Sequence, residues 1–247
     1  MVEKLEKPTD EIELKHKDVY ESPDWKALNG LDRAQLLLVA EGVKPGTIIG
    51  GNHKTFLKLV EKLGLQAIQT NDPHSLDPIY EVASPEIISD CYRSELVLPE
   101  GANYSESHKI NGKFLGYPEC CTEEYIHSQK NLKARKSFSP KKIISNFDFE
   151  LMQLFRSGKS YSEQLDFRPP SFTPCSAHCD NALRLLGQWK KILEKGDPEA
   201  AKGLQYFNQK NSPTGKWHRT EIEKGSEGKK AESILRKIRE SVASIFK

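Results

Sequence analysis

Five cysteines stand at positions 91, 120, 121, 175 and 179, and four of them are paired in the chain: Cys120 with Cys121, and Cys175 with Cys179 as C-x3-C. Thiolates bind metals and attack electrophiles, so the local setting of each pair matters. In GYPECCTEEYIH, Pro118 suits the first position of a helix and puts Cys120 and Cys121 in its first turn. In TPCSAHCDNALRLL, Ser176 is a good cap, with Cys175 just before it and Cys179 three residues into the helix. Helix starts favour negative charge, so all four thiols are expected to ionise easily.

In a cytosolic chain, paired cysteines point to metal or redox chemistry more than to structural disulfides. Their spacing excludes two patterns. Neither pair is the C-x2-C of a zinc ribbon, and Ala182 stands where the C-x3-C-x2-C of radical enzymes needs a third cysteine. Zinc with four sulfur ligands and an iron-sulfur cluster both stay open. Adjacent cysteines on a regular helix diverge by about 100°, so both reach one small ion only if the first turn is irregular. Two competing readings are a pair of buried, inert thiol clusters and a thiol-disulfide protein in which each pair cycles. His178, between Cys175 and Cys179, is a candidate further ligand or proton donor. Cys91, alone in SDCYRSE, reads as a packed core thiol.

The elements that must position these residues are legible in outline. LDRAQLLLVAEG, Leu31 to Gly42, has a continuous apolar stretch and a glycine stop, and reads as a buried helix. KPGTIIGGN holds a short apolar run between turn signals. NHKTFLKLVEKLG predicts a helix capped by Asn52, with Phe56, Leu59, Val60 and Leu63 on one face and Gly64 as its stop. LQAIQT and Ile79 to Val82 are candidate strands, which makes residues 31–95 an α/β region with a small sheet and helices against it. Residues 96–207 read as mainly helical and carry the cysteine motifs: helices run from Pro118 to about Lys130, Ser145 to Ser157, Ala177 to Lys195, and Asp197 to about Phe207. The fold class expected is thus α/β or mixed α+β. An acidic segment, 1–30, precedes it; a linker or mobile loop, 208–229, and an amphipathic helix, 230–247, follow, and one domain could contain everything.

Taken together, LGYPECC (Leu115 to Cys121) and FTPCSAHC (Phe172 to Cys179) resemble an archaeal domain family of unknown function that carries an LGYP-x-CC signature followed by PC-x3-C. The resemblance implies that Cys120, Cys121, Cys175 and Cys179 belong to one site, with Gly116, Tyr117 and Pro118 shaping the turn into it. It supplies no reaction.

Other motifs are weaker. GGNHKT, residues 50–55, has His53 where a phosphate loop needs glycine. Glu123, Glu124 and His127 follow the paired cysteines and read either as acid, base or ligand, or as a solvated helix face. His108, twelve residues before Cys120, has no reading by itself. Lys+Arg at 37 against Asp+Glu at 35 leaves a net charge of +2, too balanced to imply nucleic acid by itself. A local run does suggest it: Lys130, Lys133, Arg135, Lys136, Lys141 and Lys142 occur with no acid among them, a pattern that can track a phosphate backbone. Trp217, His218 and Arg219 could add base stacking. With no apolar run near the roughly 18 residues of a membrane span, and a start too charged for a secretory signal, a cytoplasmic protein is expected. A metal-dependent enzyme on a nucleotide or nucleic acid, a zinc-stabilised RNA-binding or adaptor module, and a thiol-disulfide protein are the competing functions.

Overall fold

The computed structural model describes residues 13–50, 54–70, 78–88, 104–134, 146–157, 160–170 and 172–211. Cys91, Asn52, His53, Arg135, Lys136, Trp217, His218, Arg219 and the expected C-terminal helix lie outside them. The chain is a mixed α+β protein with a small antiparallel sheet and a largely helical remainder. No helix among the described residues is long and apolar enough to cross a membrane.

Two short helices, α1 (Lys17–Tyr20) and α2 (Pro23–Lys26), lead into α3 (Gly30–Ala40). Every residue of α3 from Asp32 to Ala40 is buried, as its continuous apolar stretch predicts. Asn29 caps it, its side chain accepting from the Asp32 N–H at 3.0 Å. Strands β1 (Gly46–Gly50), β2 (Gln66–Thr70) and β3 (Ile79–Ala83) form a sheet in the order β1-β3-β2. Both pairings are antiparallel, with Ile48 and Ile68 each opposite Glu81. Thr47 and Ile49 of β1 are buried and Ile48 between them is exposed, the alternation a half-buried strand requires. Helix α4 (Lys54–Lys62) joins β1 to β2, and its Phe56, Leu59 and Val60 are buried together with Leu63 just beyond it.

The helical part comprises α5 (Tyr104–Phe114), α6 (Glu119–Ala134), α7 (Asn146–Arg156), a 3-10 turn (Glu163–Phe167), α8 (Asp180–Gly196) and α9 (Pro198–Asn211). Helix α8 turns Ala182, Leu186, Trp189, Ile192 and Leu193 inward. Asp197 joins it to α9 and has three partners. Its carboxylate caps α9 by accepting from the Ala200 N–H at 2.9 Å, accepts from Trp25 Nε1 at 2.7 Å, and pairs with Arg33 Nε at 3.2 Å. One continuous cluster of buried side chains runs from Val19 through α3 and α8 to Leu204, and Cys121 belongs to it.

Two expectations change. Helix α9 continues to Asn211, so residues 208–211 of the expected linker are helical. Asn208 is the reason: it is buried, and its amide donates to the carbonyls of Asp166 and Arg168, both at 2.7 Å. Likewise α6 extends to Ala134, which makes the first part of the basic segment helical, Lys133 included.

Candidate metal centre

The LGYP segment is a corner between two helices. Gly116 ends α5 with φ of +72°, its N–H donating to Lys113 O at 3.0 Å while the Tyr117 N–H donates to Gly112 O at 2.8 Å. This is a Schellman cap, and it favours glycine because a left-handed backbone strains any residue with a Cβ. Space demands it as well: a Cβ at Gly116 would collide with the Pro45 ring. Helix α6 begins at Glu119, so the start expected at Pro118 falls one residue early, and Pro118 stands just before the helix. The Pro118 carbonyl accepts from both Cys121 N at 3.0 Å and Thr122 N at 3.1 Å, so the first turn mixes the tighter i to i+3 pattern with the α-helical one. The sulfurs of the two adjacent cysteines stand 4.0 Å apart.

The second pair comes from the segment before α8. Phe172 is buried and stacks on Tyr117, with ring centroids 4.5 Å apart and planes 22° from parallel. The chain turns through residues 175–178, held from the side by Glu150 of α7, whose carboxylate accepts from the Ala177 N–H at 2.6 Å. Helix α8 begins only at Asp180, with Cys179 in the cap position. The expected start at Ala177 is therefore three residues early, and Ser176 accepts from the His178 N–H inside the turn instead of capping α8. This displacement puts both cysteines on the approach to the helix.

Cys179 Sγ lies 3.7 Å from Cys120 Sγ and 3.7 Å from Cys121 Sγ, and the Cys175 N–H donates to Cys121 Sγ at 3.4 Å. All four sulfurs lie within 4.8 Å of one another, close enough to hold a metal ion. The four cysteines are free, not disulfide-bonded. Residues more than fifty positions apart are thus brought together. His178 is exposed and stands outside this group, its backbone N–H engaged by Ser176. Glu123 pairs with Lys109 at 3.8 Å, and neither Glu124 nor His127 joins the sulfurs.

The thiols do not ionise as the helix-start argument predicts. Burial pushes Cys121 far up and Cys175 up to about 11, and in both the charges of neighbouring cysteines add to the rise. Cys179 is lowered instead. Burial raises it too, but the Ala182 N–H and the surrounding thiols outweigh that, although Cys179 makes no geometric side-chain cap bond. Four like-charged sulfurs in one half-buried corner oppose one another's ionisation, and a cation among them would reverse that.

Sequence reasoning missed three supporting groups. Asn181 directs its Nδ2 toward Cys120 Sγ at 3.7 Å, and Arg184 fixes its orientation by donating to Asn181 Oδ1 at 2.7 Å. Glu150 is the third. An asparagine two residues after a cysteine is the only signal the first could have given; Glu150 has none, because a chain 27 residues away delivers its partner.

A buried lysine lies behind the corner. Lys44 is 1% exposed and donates to Thr47 Oγ1 at 3.1 Å, which in turn donates to Gln35 Oε1 at 2.7 Å. Its ammonium also sits 5.8 Å from the Trp189 ring centroid. Burial lowers its pKa to about 7.

Comparison with protein-family models, with characterised proteins and with solved structures finds no match for this chain.

Proposed function

We propose that the chain is a zinc-stabilised binding module, in which Cys120, Cys121, Cys175 and Cys179 hold one zinc ion in a closed tetrahedral site. One observation carries the metal reading: the sulfur separations of 3.7, 3.7 and 4.0 Å. Zinc–sulfur bonds of about 2.3 Å in a regular tetrahedron place ligand sulfurs about 3.8 Å apart. A cluster binds each thiolate to a different iron or spreads the set over two irons, and needs a wider cradle than four sulfurs within 4.8 Å.

Four protein sulfurs fill all four positions of such an ion. No position is left for water or substrate, which favours a structural role over Lewis-acid catalysis. The ion would tie the start of α6 to the segment entering α8. Asn181 would donate to one thiolate, and Glu150 would hold the turn that presents Cys175 and Cys179.

The basic run from Lys130 to Lys142 supports nucleic acid as a partner. Lys133 is twelve residues beyond Cys121 on α6, about 18 Å along the axis at 1.5 Å per residue.

Metal analysis and the absorption spectrum of anaerobically purified protein test the assignment, beside Cys179→Ser. The expected result is one zinc per chain and no visible colour, with the metal lost in the variant. Iron with brown absorption would replace zinc by a cluster, and titratable thiols at Cys120, Cys121, Cys175 and Cys179 without metal would favour thiol-disulfide exchange.

A further inference from the structure

A cavity of about 210 Å³ opens beside the cysteine corner, with Cys121 in its wall. Its floor and sides come from β1, α5, the Gly116 corner with α6, and residues 172–173. We propose that this cavity binds a neutral, planar heteroaromatic ring of nucleobase size.

Size is the first argument. Pockets for drug-sized ligands span roughly 300–1,000 Å³, so this one accepts a single or fused ring and little more. Shape is the second: Tyr117, Tyr125 and Phe172 line it, with His108, whose ring lies 5.2 Å from that of Tyr125 at 72°. Aromatic walls select flat ligands, because ring faces stack and ring edges meet faces. Charge is the third. Among the described residues, the lining contains no Asp, Glu, Lys or Arg, so an ionised group would lose its hydration here without a counter-charge.

Polar groups on the lining narrow the class further. The Asn111 side chain, which no hydrogen bond among the described residues engages, offers a donor and an acceptor side by side. Adjacent donor and acceptor atoms on a base edge match such an amide in pairs, whereas a hydrocarbon ring would leave it unsatisfied. Thr173 is exposed at the same cavity and adds a hydroxyl. Gly112 keeps the two helices close at this point, since a Cβ there would overlap the Thr122 side chain. Any phosphate or sugar carried by the ring would have to remain outside.

The inference rests partly on the zinc reading, because the ion would tie together the two segments, 115–125 and 172–173, that form most of the wall. The test titrates metal-analysed full-length protein with adenine and with cytosine, using toluene as the apolar control, and follows binding by calorimetry and by the amide NMR signals of lining residues. Millimolar or tighter binding of a nucleobase is expected. Asn111→Leu and Thr173→Trp, the second at an exposed position that spares the core, should each weaken it by about tenfold or more while metal content and unfolding temperature stay unchanged. No binding of either base to zinc-loaded protein would overturn the inference and leave the zinc reading intact. Undiminished binding in both variants, or toluene binding as tightly as the bases, would overturn it too. Base binding that both variants weaken, in protein that holds no metal, would uphold the cavity and sink the zinc reading alone.

Discussion

Helix α3 and the cysteine corner at the start of α6 belong to one buried cluster, yet they are held by different means. Around α3 the contacts are dry and redundant: Leu36, Leu37 and Leu38 are at most 1% exposed and meet Trp25, Trp189 and the sheet side chains in the same cluster. The corner instead gathers three partly exposed sulfurs and one buried one, where burial opposes charge and the backbone must be bent to bring the atoms together. Burial of apolar area acts without precise direction, whereas ligand geometry holds only when every partner is in place. The first region can therefore lose a side chain and stay assembled. With the proposed ion bound, the second would depend on all four sulfurs at once.

The sharpest way to break this contrast pairs a core truncation with metal removal. Leu37→Ala should cost about 3–5 kcal/mol of global stability, seen as a lower midpoint in denaturant, with metal content unchanged. Chelation should act in the opposite sense. Hydrogen exchange is expected to accelerate at 119–123 and 176–183 while the amides of α3 stay protected. Equal acceleration in both regions would show that the corner and the core open as one unit.

A second test concerns the polar group inside the dry region. Lys44 has a folded pKa of about 7, below its ordinary 10.5. The folded protein thus binds the proton less well than the unfolded chain, and stability should rise with pH between about 7 and 10.5, by at most about 1.4 kcal/mol per unit. Below pH 7 both states are protonated and the full penalty persists. Lys44→Met should therefore stabilise the protein at pH 7 by about 3 kcal/mol after the lost Thr47 hydrogen bond is offset, and flatten the alkaline rise. Denaturant midpoints from pH 6 to pH 10 measure both effects; an unchanged slope would mean that Lys44 keeps its charge inside.

The smallest effect is expected at the edge of the corner. Asn181→Ala removes the amide donor to Cys120 and should weaken metal affinity about tenfold, read by competition with a chelator. Because Asn181 is exposed, the unfolding midpoint of metal-loaded protein should barely move. A large stability loss would show that Asn181 supports α8 itself.

Periodicity identified the buried positions well wherever one helix face meets one core. Phe56, Leu59, Val60 and Leu63 are buried as predicted, Gly64 ends α4 with φ of +67°, and Asp197 caps α9 beside Pro198. Helix ends at the site were harder. Ser176 has the side chain of a cap, but the Glu150 hydrogen bond to Ala177 N–H holds a turn there, and α8 starts at Asp180. The same kind of distant contact, Asn208 to the carbonyls of residues 166 and 168, carries α9 beyond its expected end.

The chain alone determined that α3 is buried and that Cys120 and Cys121 fall in the first turn of a helix, because local backbone preference and side-chain spacing decide these. Tertiary structure alone decided the rest. It set the sulfur separations near the edge of a metal tetrahedron, and it raised the Cys121 and Cys175 thiols where helix starts predicted lowering. It also sealed Lys44 behind Trp189 and opened an aromatic-lined cavity against Cys121. Distances between atoms and exclusion of water depend on which distant segments pack together, and no spacing within one segment encodes them.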